Sequence, residues 1–273
     1  MKREIILEAG HGYRHYWRDM WDYRELFAFL AWRDISVRYR QTVIGVAWSL
    51  IQPLLTMIVF TIIFGRLANL PSGGAPYPIL VFAALLPWSF FSNALTACSN
   101  SLVANANMIS KIYFPRIALP ASSIIVSFVD LLLAFVVLLV MMVIYQVWPT
   151  WRFVALVPLT LLAGAAALGS GLWFAALNVR YRDFRYLVPF VLQFGVFISP
   201  VGFSSSIVPP EFKLLYSLNP MVGVIDGFRW AILGQDAQLY VPGFLLSVIL
   251  VAVILGSGVR YFRSTERSFA DVI

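Results

Sequence analysis

The sequence predicts an all-α membrane protein with six transmembrane helices, an N-terminal interfacial helix, and re-entrant helices between the fifth and sixth spans. Three observations lead there. Residues 41–65 contain no Asp, Glu, Lys or Arg; as an α-helix rising about 1.5 Å per residue they cover about 37 Å, enough to cross about 30 Å of hydrocarbon with some tilt. The 273 residues are 60% apolar and 12% charged, with a mean hydropathy of +0.82, beyond the range of soluble domains. The 20 lysines and arginines sit in short segments between apolar runs. The net charge of +7 is therefore a topology signal and not the basic face of a nucleic-acid-binding domain.

Residues 23–40 lack Pro and Gly and put Leu26, Phe27, Leu30 and Val37 on one helical side, with Arg24, Glu25, Ser36 and Arg40 elsewhere. This is the pattern of a helix lying under the membrane, with Asp34 interrupting its apolar side. Arg33, Arg38 and Arg40 then hold the start of the first span in the cytoplasm. Residues 66–77 form a turn-rich loop through Pro71, Gly73, Gly74 and Pro76. Further spans are expected at 78–97, broken near its middle by Pro87, and at 117–145, 153–179, 187–203 and 241–259. A brief link at 148–152 carries aromatic residues suited to the membrane interface. Residues 204–240 are too apolar for a free loop and too interrupted for a span. Within them 222–233 is helical in pattern but reaches only about 18 Å, so it is read as re-entrant, preceded by a shorter helix at 212–218 and broken at Asn219 and Pro220.

The chain thus divides into a cytoplasmic N-terminal segment (1–42), a six-span region (43–259) and a cytoplasmic tail (260–273). With both termini inside, sixteen lysines and arginines are cytoplasmic and four, Arg66, Arg152, Lys213 and Arg229, are outside, the asymmetry expected of this orientation. A full crossing by 222–233 would carry Arg260, Arg263 and Arg267 outward. No cleavable signal peptide of the usual design is expected, since the first apolar run follows about forty polar and aromatic residues. Cys98 is alone and cannot form an internal disulfide.

No Gly-x-x-x-x-Gly-Lys-Ser/Thr phosphate loop occurs, so the usual ATP cradle is missing. No metal-spaced cluster occurs either; His11 and His15 are read as solvated histidines. With no nucleophile beside a base, the chemistry expected is passage and not bond making. A membrane-embedded enzyme acting on polyprenyl phosphates would need acids or histidines clustered at one membrane face, and Asp130 is the only acid inside a span. There an ionised carboxylate costs about 2.5–3.5 kcal/mol. It requires a partner, a wet cavity or a proton, either as a polar point on a substrate route or as a group bonded to a neighbouring helix. Phe190, Phe194 and Phe197 form one stripe on the fifth span, and Trp48 and Phe60 lie on the first. Such rings either pack helices or meet the C–H face of a sugar. Ala163, Ala167 and Gly171 place a small residue every four positions, which permits close helix contact within or between subunits. Residues 105–116 read as a capping Asn105, about two helical turns and a Pro stop, either a connector or a handle for another protein.

Several segments, in order, resemble one family. They are Arg33-Asp34-Ile35-x-x-Arg38-Tyr39-Arg40-Gln41-Thr42-x-x-Gly45-x-x-Trp48-x-x-x-Gln52-Pro53, Leu86-Pro87-Trp88-x-Phe90-Phe91, residues 105–115, Asn178-Val179-Arg180-Tyr181-Arg182-Asp183, Leu218-Asn219-Pro220-Met221, Gly227-Phe228-Arg229-Trp230 and Glu266-Arg267-Ser268-Phe269-Ala270-Asp271. Together they resemble the permeases of ABC-type polysaccharide exporters, which move O-antigen and related glycans.

The resemblance implies a transport subunit that is not an enzyme, paired with a second copy of itself and with two separate ATPase subunits that hold ATP and magnesium; this chain itself would bind no cofactor and no metal. Residues 105–116 would be the coupling helix, with Asn105, Asn107, Met108, Ser110, Lys111, Tyr113 and Arg116 against the ATPase. Trp48, Phe60, Asp130, Phe190, Phe194 and Phe197 would face the translocation path. The broken helices of 204–240 would form an outer gate with Asn219, Pro220, Asp226, Arg229 and Trp230. Arg33, Arg38 and Arg40 would attract the diphosphate of an undecaprenyl-linked polysaccharide at the inner face of the bacterial inner membrane. Teichoic acid, lipid or drug are alternative cargoes, and a passive channel would need no ATPase.

Overall fold

Long uninterrupted apolar runs become helices here, and several serines and threonines inside them bond back to the turn before. The computed structural model describes residues 23–40, 43–112, 114–181, 183–234, 237–266 and 269, without the side chains of 40 and 43–46. His11, His15, Tyr113 and the Arg40 side chain lie outside the described residues. Among those described the structure is helical, with no strand. The principal helices are α1 (Arg24–Arg40), α2 (Val43–Phe60), α3 (Tyr77–Ala104), α4 (Ala106–Ile109), α5 (Ala118–Ile144), α6 (Leu156–Arg180), α7 (Phe184–Ile198), α8 (Pro210–Tyr216), α9 (Pro220–Leu233) and α10 (Val241–Thr265). Among the described residues, five helical stretches are long and apolar enough to cross a membrane: Ala47–Leu67, Tyr77–Ala104, Ala118–Ile144, Trp151–Arg180 and Val241–Thr265.

The deviations from the expected spans have local causes. α2 continues beyond Phe60 as a π-helical segment, Thr61–Leu67, so Arg66 belongs to the helix and not to the loop. α3 runs unbroken through Pro87 and ends seven residues later than expected. Ser99 and Asn100 both bond the Thr96 carbonyl, at 2.9 Å each, and Ser101 bonds that of Cys98 at 2.8 Å. Polar side chains that bond back to the preceding turn stay inside a helix. α7 begins three residues before the expected fifth span and stops at Ile198, because Ser199 is extended (ψ 153°) ahead of Pro200. At 15 residues it is about 22 Å long, short of the bilayer's hydrocarbon. α10 carries helix six residues into the expected tail.

α3 is the enclosed axis of the fold, packed by α5, α6 and α9 and, less extensively, by α2 and α7. α9 is buried all round, with Met221, Val224, Ile225, Phe228, Ala231 and Ile232 at or below 1% exposure. Its Asp226 and Arg229 are buried with the apolar residues, so the whole helix is held inside the protein. Its start follows from Asn219, whose side chain accepts from the Met221 amide at 3.0 Å, and from Pro220 in the first turn. A second cluster, of Leu30, Leu102, Ile109, Phe114, Ile117, Leu172, Phe262 and Phe269, gathers α1 and the ends of four longer helices. In α1, Leu26, Phe27 and Leu30 face this cluster. Val37 does not; it is 68% exposed and, like Phe29 and Trp32, offers apolar surface outward, as a helix at a lipid boundary does.

Two close contacts hold the bundle. Ala163, Ala167 and Gly171 are all buried, and Gly171 lies directly against Cys98 of α3, so the small-residue stripe serves a contact within the chain. On the other side of α6, a Cβ at Gly169 would stand 2.6 Å from the Leu255 Cα, and one at Gly258 would overlap the Gly169 carbonyl oxygen. The buried Arg229 side chain donates three hydrogen bonds, to the carbonyls of Leu80 (3.1 Å), Phe203 (2.8 Å) and Val201 (3.0 Å). It ties the irregular turn after α7 to the first turn of α3.

Gly258→Val is expected to destabilise the detergent-solubilised protein by about 1–3 kcal/mol through overpacking, read as a lowered unfolding midpoint. Arg229→Met leaves three carbonyls and the nearby buried carboxylate of Asp226 without their cation. The same measurement should show a loss of about 3–5 kcal/mol, the range for removing one partner of a buried charged group.

Candidate functional site

A cavity of about 490 Å³ opens between α2, α3, α5 and α7, and the last turn of α1 reaches its wall. Each helix offers it one stripe at helical spacing. α2 gives Trp48, Gln52 and Thr56; α3 gives Trp88, Ser89, Ser92, Asn93 and Thr96; α5 gives Asp130 and Ala134; α7 gives Pro189, Gln193 and Val196. Arg38 comes from α1. Trp48 is 58% exposed. Gln52, Asn93 and Gln193 are also exposed, although each sits in an apolar run where amides are costly to leave against lipid.

Asp130 is met from another helix. The Tyr39 hydroxyl donates to its Oδ1 at 2.5 Å, and an Arg38 guanidinium nitrogen stands 2.7 Å from its Oδ2. That nitrogen makes no hydrogen bond with Oδ2, so the Arg38 contact is an ion pair without directed bonding. Burial, then the bond and the negative charge of Asp130, push the Tyr39 phenol well above its ordinary value, with Arg38 opposing. It therefore remains a donor at physiological pH. The carboxylate is bonded to a neighbouring helix, and it lines the cavity. The end of α1 thus meets α5 about 18 Å along that helix from its start at Ala118.

The other expected path residues divide. Phe190, Phe194 and Phe197 lie on the face of α7 beside the cavity stripe, each more than half exposed, with the first two rings 4.6 Å apart. Phe60 does not face the cavity. It is buried, its ring 5.4 Å from that of Phe64 and 5.9 Å from that of Phe197.

The two entry arginines whose side chains are described divide as well. Arg38 joins the cavity, whereas Arg33 bonds Asp34 at 2.7 and 2.9 Å and the Asn105 side-chain carbonyl at 2.9 Å. That bond corrects the expected cap: Asn105 spends its oxygen on Arg33 and its amide on the Ser101 carbonyl, and it caps nothing. The helix after it is a single turn, α4, not two. Asn107, Ser110 and Lys111 are exposed and Met108 is half-buried. Ile109 and Phe114 are buried anchors. Arg116 is turned inward: its backbone N–H donates to Glu266 Oε1 at 2.9 Å and its guanidinium to the Glu266 carbonyl.

In the region 204–240, Asn219 caps α9 and donates to the Ser199 hydroxyl at 2.9 Å. Pro220 opens the helix. Asp226 is buried and takes a hydrogen bond from Ser205. Trp230 carries the Arg152 guanidinium 5.1 Å over its ring and the edge of Trp151 at 6.2 Å. Sequence reasoning missed the amides at 52, 93 and 193 and the hydroxyls of α3. Their signal was available: isolated amides inside uncharged runs, with Ser89, Ser92, Asn93 and Thr96 on one helical face. Among the described residues, no three His, Cys, Asp or Glu side chains come together as a metal site.

Comparison with known proteins places the arrangement. Residues 25–233 match the family model described as ABC-2 type transporter. The O-antigen export system permease protein RfbA of Myxococcus xanthus is 28% identical over 94% of this chain and 98% of its own length. The polysialic acid transport protein KpsM of Escherichia coli is 22% identical over 86% and 92%. The inner membrane transport permease YadH of Escherichia coli K12 is 31% identical over 76% and 84%. The match takes in α1, the cavity helices and α9, and the chain belongs to the ABC-2 type transporter family.

Proposed function

We propose that this chain is the transmembrane permease subunit of an ATP-driven exporter for undecaprenyl-linked surface polysaccharide, working as two copies with two ATPase subunits in the bacterial inner membrane. The observation that carries it is the cavity in which Trp48, the Arg38–Asp130 pair and the exposed amides of Gln52, Asn93 and Gln193 meet. A sugar ring has an apolar C–H face and a polar rim. Rings of tryptophan and phenylalanine accept the first and amides the second. Arg38 attracts phosphate, and because Asp130 already shares its charge, the hold is weak enough for cargo to leave, as conduction requires.

The exposed faces of α2 and α7 support a second copy, since exposed amides at membrane depth need protein or water beside them. In this reading α7 and the turn after it make the fifth of six crossings, α8 and α9 re-enter from the outer side, and both termini are cytoplasmic. Segments 1–42, 43–259 and 260–273 keep their assigned sides. The exposed residues of 105–112 dock on the ATPase, which holds ATP and magnesium; this chain holds neither and binds no nucleic acid. A second reading keeps the architecture and changes the cargo to teichoic acid, lipid or drug. The 31% identity to a permease named without a glycan favours keeping it in view.

Deleting the gene tests the cargo. Long-chain glycan should vanish from the cell surface while lipid-linked glycan accumulates inside, and the wild-type gene should restore export. Unchanged surface glycan would remove the polysaccharide assignment. Replacing Gln52, Asn93 and Gln193 together by Leu should cut export roughly tenfold or more, at about 0.5–1.5 kcal/mol for each lost hydrogen bond. Trp48→Ala should cost about fivefold, the scale of one aromatic contact. Wild-type export in these variants, with normal membrane levels, would exclude the cavity as the path.

A further inference from the structure

The tail motif that begins at Glu266 has no role in the reading above, yet it touches the loop that reading makes important. That loop has little structure of its own. α4 is one turn of four residues, far below the length at which a helix holds its own shape in water. Its orientation comes from what grips its ends. At the first end Arg33 of α1 donates to Asn105 at 2.9 Å. At the other end the grip comes from the last helix, 150 residues away in sequence. Glu266 takes the Arg116 backbone N–H on its carboxylate at 2.9 Å, and its main-chain carbonyl takes the Arg116 guanidinium. The same guanidinium lies 6.0 Å over the ring of Phe269. That ring is 1% exposed and meets Phe262 edge-on at 5.3 Å. It belongs to the apolar cluster that also holds Ile109 and Phe114 of the loop.

We infer that Glu266 and Phe269 are positioning residues that clamp the loop 105–116 to α10, so that the C-terminal tail sets how the loop is presented to its partner. The inference rests on the reading of that loop as the ATPase docking element. A loop gripped only by α3 and α5 would move with the two helices it joins. Gripped also by the tail, it shares any push with α10, which packs along α6 and over α9. The clamp is therefore a mechanical connection between the docking loop and the buried helix of the 204–240 region.

The test uses the full permease with its ATPase, in Glu266→Ala, Phe269→Ala and Glu266→Gln variants. Hydrogen exchange of the permease alone reads the clamp without the partner. Glu266→Ala and Phe269→Ala should speed exchange at residues 108–112 by about tenfold, as local opening becomes easier, whereas Glu266→Gln keeps Oε1 as an acceptor and should exchange as wild type. In reconstituted transport, the first two should lower glycan exported per ATP hydrolysed at least fivefold while the ATPase still copurifies. Simple loss of folded protein would instead lower export and hydrolysis in proportion. Unchanged loop exchange in both truncating variants, or proportional losses not rescued by Gln, would overturn the clamp. If the wild-type permease copurified no ATPase, the docking reading itself would fail, whatever the exchange rates showed.

Discussion

A carboxylate half-way along an apolar helix has to be met by something, and Asp130 is met from a separate helix by Arg38 and Tyr39. Much of the arrangement follows from that one contact. It joins the end of α1 to the middle of α5, and it brings a guanidinium to the wall of a cavity that α2, α3 and α7 otherwise line with amides, hydroxyls and rings. Because Arg33 sits on the same short helix and bonds Asn105, the mid-depth carboxylate and the loop at the end of α3 are joined by one stiff element.

The second requirement is that irregular backbone within an apolar environment be satisfied by protein. Arg229 meets it for the turn after α7, spending three donors on three carbonyls. A charge assigned from sequence to a gate is thus committed in this conformation to holding a turn against α3. Asn219 acts in the same place, capping α9 and reaching Ser199. These bonds would all have to change together if the region opened.

Features that depend on local chemistry were legible in the sequence. Uncharged runs located the first, third, fourth and sixth spans to within a few residues at most ends, and Asn219 with Pro220 marked the break between α8 and α9. Asp130 stood out because charge is rare at such depth. Its partners did not, because they lie about ninety residues away and nothing local links them. The end of the second span was read too early because Asn100 is polar, when its side chain simply bonds back to Thr96. Asn105 resembled a cap for the same reason, until a distant arginine claimed its oxygen. Gln52, Asn93 and Gln193 were visible one by one, but their convergence on a single cavity depends on how three helices rotate against each other. No single-helix pattern carries that information.

The brevity of α7 has a bearing on the surrounding lipid. If α7 is the fifth crossing proposed above, a rod of about 22 Å beside longer neighbours leaves about 8 Å of hydrocarbon for other groups to match, and each unmatched ångström costs a fraction of a kcal/mol. In the proposed topology the turn after α7 makes up that length, so the match to the bilayer at this crossing rests on irregular backbone and not on helix. On that topology acyl-chain length becomes a variable of the protein's conformational balance: short chains match α7 itself, and long chains load the turn that Arg229 holds.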